Sequence, residues 1–231
     1  MDWQQFYTRA AGDSPPDLQA FAPWQLQLAG HIKQLGPGSC LESGSGFGQT
    51  SYLLAESIDK VVAVDLEAYP LRMARRLFVT GQRTGAFLQG DLFHLPVRDQ
   101  SFDVCFNAGV FEHFSFAERC RALTEMARVT RDRGSIIVAF PNHCSSPYRY
   151  SYGYRRKQGT WPYPQEHPLV DLGAELQALG RGWTQQRKTV DRQGAFHFLR
   201  RHQRWLFRLA GLFCSFEGYL TIITIDKQGA P

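Results

Sequence analysis

Ser39-Cys40-Leu41-Glu42-Ser43-Gly44-Ser45-Gly46-Phe47-Gly48-Gln49-Thr50 is the stretch whose reading decides the fold. Residues 39–42 form a short apolar strand, a glycine turn follows, and residues 50–57 read as a helix. Glycine tolerates positive φ and lets another group approach the backbone. Between a strand and a helix, the turn aims backbone amides at a polar ligand. The glycines stand at 44, 46 and 48, whereas a dinucleotide fingerprint wants its third glycine at 49, which is Gln.

Outward from this turn, strands and helices alternate. Residues 60–65, Lys-Val-Val-Ala-Val-Asp, predict a buried strand ending in a carboxylate. Residues 71–79 predict a helix, 86–88 a strand, 102–107 a strand, 117–130 an amphipathic helix and 135–140 a strand. Five apolar strands alternating with helices imply a parallel sheet covered on both faces. Ligands of such sheets bind beyond the carboxyl ends of the strands. Asp65 ends the second strand, and its two acceptor oxygens match a ribose diol. Asp91 ends the third. Its carboxylate suits an exocyclic adenine amine, with Leu92 placed to pack on the ring.

The glycine turn at 42–48, Val64-Asp65, Gly90-Asp91-Leu92, and the run Ser101-Phe102-Asp103-Val104-Cys105-Phe106-Asn107 continuing to Glu112-His113 resemble, in this order, the class I S-adenosylmethionine-dependent methyltransferases. The small-molecule, type 11-like branch is the nearest likeness, over residues 38–142. The resemblance implies a Rossmann-like, doubly wound α/β sheet of seven strands, mostly parallel with an antiparallel last strand, and an inserted cap after the fifth. Residues 219–225 can supply the antiparallel strand. It also implies S-adenosyl-L-methionine as cofactor and in-line methyl transfer to an oxygen or nitrogen. Carried over residue by residue, Glu42 supports the turn near the methionine part, which Gly44 and Gly46 approach. Asp65 holds the ribose and Leu66 flanks the adenine. Asp91 and Leu92 contact the adenine, and Asn107 presents its backbone near the methionine end. Ser43 and Ser45 depart from the family's frequent Gly or Cys, but both are small.

Four segments are expected: an N-terminal helical segment at 1–37 broken by Ser14-Pro15-Pro16, the binding core at 38–142, a substrate-side cap with basic helices at 143–213, and a terminal strand at 214–231. Within 1–37, Trp24, Leu28 and Ile32 recur at helical spacing, and Gly36-Pro37-Gly38 stops the helix. The cap holds the less readable chemistry. Residues 147–163 contain five of the nine tyrosines, plus Trp161. If extended, Tyr150, Tyr152 and Tyr154 share one face. With Tyr148, Trp161 and His167 they form the candidate acceptor wall, which with its arginines suits an aromatic or anionic small molecule. Candidate bases are His113, His143 and His167, of which His143 stands just past the fifth strand and is placed as the catalytic one. Residues 196–213 form a basic helix carrying Phe198, Trp205, Leu209 and Leu212 against Arg201, Arg204 and Arg208. That pattern fits an interfacial helix or, more commonly, one packed on its own domain.

Charge divides the chain the same way. Residues 1–144 hold 13 Lys and Arg against 15 Asp and Glu, whereas residues 145–231 hold 13 against 6. A basic half suits an anionic substrate, RNA or an anionic membrane surface, but no RNA-binding motif is present. The alternatives to a small-molecule acceptor are therefore RNA, a lipid-like acceptor, or a regulator that binds the nucleoside and transfers nothing. The five cysteines lie 15 or more residues apart, without zinc-ligand spacing. They read as reduced thiols of a cytoplasmic protein, and the first residues lack a signal-peptide pattern.

Overall fold

The computed structural model describes residues 3, 6, 7, 17, 20–180, 182–196, 199–210 and 215–227. The Ser14-Pro15-Pro16 break, Phe198, Leu212 and Cys214 lie outside these residues.

Helix α1 (Pro23–Gln34) buries Leu28, Ala29 and Ile32, four or fewer residues apart on one face. Strand β1 (Ser39–Ser43) and helix α2 (Gln49–Leu54) flank the glycine turn. Strand β2 (Lys60–Asp65), helix α3 (Ala68–Thr80), strand β3 (Ala86–Gln89) and strand β4 (Phe102–Ala108) follow. A 3-10 turn (Phe111–His113) leads to helix α4 (Phe116–Val129), whose Ser115 and Glu118 cap each other's backbone amides. Then come strand β5 (Thr130–Pro141), helices α5 (Ser146–Lys157) and α6 (Gly173–Leu179), strand β6 (Trp183–Val190), helix α7 (Arg201–Ala210) and strand β7 (Leu220–Lys227).

The seven strands form one sheet in the order β3-β2-β1-β4-β5-β7-β6. β3, β2, β1, β4 and β5 run parallel, and β7 is antiparallel to both its neighbours. This is the Rossmann-like sheet with an antiparallel last strand that the sequence pattern implies. Two apolar layers cover it. One joins Leu41, Val62, Ile136, Val138 and Ile223 to α4. The other joins Val61, Phe106, Ile137 and Ile222 to α1 and Phe78.

Two expectations for residues 143–213 need correction. Residues 183–190 are a sheet strand rather than part of a cap. They lie at the sheet's edge, where Thr184, Gln186, Arg187 and Lys188 face water, so no apolar run marks them. The tyrosine-rich segment is the helix α5 and not extended. Four-residue spacing therefore groups Tyr148 with Tyr152 and Tyr150 with Tyr154, and the latter pair stacks with centroids 6.4 Å apart. Helix α7 turns Gln203 inward but leaves Trp205 61%, Leu206 57% and Leu209 40% exposed. Among the described residues no helix is long and apolar enough to cross a membrane.

Candidate functional site

Because β1, β2 and β4 are parallel, their carboxyl ends meet at one edge of the sheet. There a cavity of about 370 Å³ opens, bordered by Gly44 to Gly46, Asp65 and Leu66, Gly90 to Phe93, and Ala108 to Val110. Gly44 has φ +72°, a conformation that disfavours any side chain, and a Cβ there would stand 3.0 Å from Val110 Cγ2. Asp65 is buried, and its carboxylate accepts from the Gly46 amide at 2.7 Å and the Glu67 amide at 3.0 Å. Burial raises its pKa, against the pull of those amides. Asp91 accepts from the Phe93 amide at 2.9 Å, which fixes the turn that brings Leu92 and Phe93 to the wall.

Glu42 and Asn107 stand behind this turn rather than in the cavity wall. The Glu42 carboxylate accepts from the Ser51 amide at 3.1 Å and the Ser51 hydroxyl at 2.6 Å, tying β1 to α2. Asn107 donates through Nδ2 to the Ser43 carbonyl. Its Oδ1 is buried without a partner. A glycine turn with only the small Ser45 side chain at the wall, a buried carboxylate at the second strand end and an apolar wall beyond the third fit a nucleoside.

Burial pushes the Glu42 carboxyl up to about 8. The folded protein therefore keeps a proton that the unfolded chain has lost, between about 4.5 and about 8. Stability falls as pH rises through that window. Glu42→Gln keeps an acceptor for Ser51 but removes the titration. Urea unfolding should show the variant gaining on the wild type by a few kcal/mol, order of magnitude, between about pH 5 and pH 8. A difference that stays constant with pH would contradict this.

A second cavity of about 580 Å³ adjoins the first. Ala108, Gly109, His113 and Tyr163 border both. Its walls come from residues 20–24, the Glu112-His113 turn, Pro141, Tyr148, the segment 161–166, Asp191, Gly194, Tyr219 and Leu220. Glu112 is buried, its Oε2 has no hydrogen-bond partner, and burial, then Glu166, holds its pKa well above the carboxylate range. Glu166 Oε2 accepts from the Tyr148 hydroxyl at 2.6 Å. The Tyr152 hydroxyl holds both backbone groups of Glu166 at 3.2 Å. The His113 ring meets the Gln165 carbonyl at 3.0 Å, and burial lowers its pKa.

The acceptor-side expectations divide. Tyr148 and Trp161 line the second cavity. Tyr152 acts behind it through Glu166. Tyr150 is exposed on the other face of α5, against Phe207. His167 is exposed, and only its amide reaches inward, to the Glu112 carbonyl at 2.6 Å. His143 borders neither cavity. It is buried edge-on against Tyr148 and Tyr152, with Nε2 3.3 Å from Glu166 Oε2. The helical turn of α5 puts Tyr148 where an extended chain would have left His143 open. Sequence reasoning missed Trp3, Phe6 and Tyr7, which border the first cavity, and Glu112, Glu166 and Asp191, which border the second. The 3-to-4-residue spacing of Trp3, Phe6 and Tyr7 was the available signal for the first group.

Residues 41–138 match the model of a family described as a methyltransferase domain. The chain is 29% identical over 162 residues to a Mycobacterium tuberculosis protein named a probable S-adenosylmethionine-dependent methyltransferase, covering 60% of this chain and 57% of that one. It is 32% identical over 137 residues to the malonyl-[acyl-carrier protein] O-methyltransferase of Serratia marcescens, covering 58% and 50%. The chain thus spans about half the length of these curated relatives. The solved structure of Burkholderia thailandensis 1,6-didemethyltoxoflavin-N1-methyltransferase, with its substrate and S-adenosylhomocysteine bound, aligns at a TM-score of 0.65, covering 99% of this chain and 86% of that one at 16% identity. At that identity the likeness speaks for the fold.

Proposed function

We propose that the protein is a class I S-adenosylmethionine-dependent methyltransferase, as the match of residues 41–138 to a methyltransferase-domain model supports, and that it binds S-adenosylmethionine in the first cavity and methylates a small molecule held in the second. The supporting observation is the junction. The two cavities share the end of β4, where Ala108 and Gly109 put no large side chain between them. A sulfonium methyl is already activated, so that an acceptor lone pair displaces sulfur, whose bonding pair stays with it.

The chain's own task is then to align and to exclude water. In this reading Asp65 holds the ribose, Leu66, Asp91 and Leu92 the adenine, and Gly44, Gly46 and Asn107 the methionine end. Tyr148, Trp161 and Tyr163 enclose the acceptor. A volume of about 580 Å³ lies within the range of small-molecule sites.

Calorimetric titration with S-adenosylhomocysteine is expected to give one-to-one binding in the micromolar range, about −8 kcal/mol. No heat and no thermal shift at millimolar ligand would overturn the proposal.

A further inference from the structure

The second cavity has an electrostatic character opposite to that of the chain that builds it. The protein carries a net charge of +5, and most of its excess cations lie in residues 145–231. Yet among the described residues no Lys or Arg lines this cavity. Its acidic wall groups are Glu112, Glu166 and Asp191. The rings around them are Phe21, Trp24, Tyr148, Trp161, Tyr163 and Tyr219. The nearby arginines are used elsewhere: Arg155 stands 6.0 Å from the Trp161 ring centre, Arg156 6.0 Å from that of Tyr152 and Arg200 5.4 Å from that of Tyr154.

The three carboxylates are not equivalent. Asp191 accepts from the Gly194 amide at 2.8 Å, which closes its own turn. Glu166 accepts from the Tyr148 hydroxyl. Glu112 has a spare oxygen: the residue is 2% exposed, it borders the cavity, and its Oε2 has no partner. A buried acceptor left unpaired costs about 1–3 kcal/mol, and more when charged. A ligand that brings an N–H to this oxygen removes that cost. A ligand that brings a negative charge meets three acidic groups and no cation. Faces of Trp and Tyr attract a cation by their quadrupole, and desolvation strengthens that attraction. Hydrogen-bonding capacity, charge and aromatic surface thus select the same ligand class.

We propose that the methyl acceptor is an amine, docked as an ammonium with an N–H on Glu112 Oε2 and aromatic rings about it; Glu112 takes that proton, and the freed nitrogen lone pair attacks the methyl carbon as the carbon–sulfur bond breaks and its electron pair stays on sulfur. Glu112 is the residue that sets this specificity, with Glu166 supporting it from the opposite segment. The assignment rests on the methyltransferase reading and, of the acceptors the sequence suggests, favours an aromatic one carrying a cation over an anionic one.

The test uses the full chain saturated with S-adenosylhomocysteine, whose binding is measured first and separately. Tyramine, tryptamine and benzylamine are then titrated, each beside its alcohol and its carboxylic acid counterpart. At least one amine is expected to bind about tenfold or more tightly than its alcohol, with its acid weaker still; tenfold is the effect of one buried charge-assisted hydrogen bond. Glu112→Gln should erase the amine-over-alcohol preference while leaving the affinity for S-adenosylhomocysteine, whose cavity Glu112 does not border, unchanged. If no amine exceeds its alcohol and acid partners, the proposal falls. It falls equally if Glu112→Gln keeps the preference. Absence of S-adenosylhomocysteine binding would instead strike the methyltransferase reading. The wild-type comparison of amine, alcohol and acid stands even if the variant fails to fold.

Discussion

Asp65→Ala is expected to weaken S-adenosylhomocysteine binding about 100-fold. A carboxylate that receives two ribose hydroxyls makes two charge-assisted hydrogen bonds, each about 1.5–3 kcal/mol. The lower value, doubled, corresponds to about two powers of ten in affinity. The substitution has a second cost. The amides of Gly46 and Glu67 now donate to Asp65 and would lose their acceptor, loosening the turn that holds Gly44 open. Asp65→Asn separates the two effects, since its amide oxygen accepts from one of those backbone groups while the charge is gone. It should bind more weakly than wild type but more tightly than Asp65→Ala. Calorimetry on all three proteins measures this, and an unchanged dissociation constant for Asp65→Ala would refute the role given to this carboxylate.

Phe111→Ala is expected to cost about 3–5 kcal/mol of stability, the range for deleting a buried aromatic side chain. Phe111 is fully buried in the layer that joins the sheet to α4. It also roots the 3-10 turn on which Glu112 and His113 stand. For a domain of 150–250 residues each kcal/mol moves the melting temperature by about 2–4 °C. A fall of about 6–20 °C should therefore appear in a thermal melt followed by circular dichroism. Phe116→Ala is the matched control: that ring is 49% exposed on the first turn of α4, and its loss should change stability by no more than about 0.5 kcal/mol. Equal melting temperatures for Phe111→Ala and the wild type would show that the turn is not anchored this way.

The sheet and the first cavity were legible for the same reason. Val61 to Val64 and Ile136 to Phe140 are unbroken apolar runs because those strands are buried on both faces. The first of these runs ends in Asp65 at the first cavity, so strand position and site position are one reading there. The edge strand β6 was not legible, because its exposed face leaves it polar. The orientation of the tyrosines was misread because alternate spacing suggests a strand, whereas the helical period of α5 sorts the same residues four apart. The second cavity was illegible for a different reason. Phe21, Glu112, Tyr148, Glu166, Asp191 and Tyr219 are scattered over about 200 residues of sequence, and only the folded topology brings them together. No local motif marks such a set: Glu112 was legible only as part of the Glu112-His113 pair that ends the family-like run, without a role, and Glu166 looks in the sequence like an ordinary solvated acid.

Gly109 has φ +77°, and its amide donates to the Ala139 carbonyl at 2.9 Å. It stands at the doorway between the two cavities. Each cavity is bordered largely by different stretches of chain: the first by the strand ends up to residue 118 and by Trp3, Phe6 and Tyr7, the second chiefly by residues 20–24 and 141–220. Such a partition makes the two linings separately alterable by substitution. The outer stretches can be altered while the lining of the first cavity is left intact. A side chain at Gly109 would strain this left-handed backbone and set its Cβ 3.8 Å from Glu112 Oε1, inside the doorway.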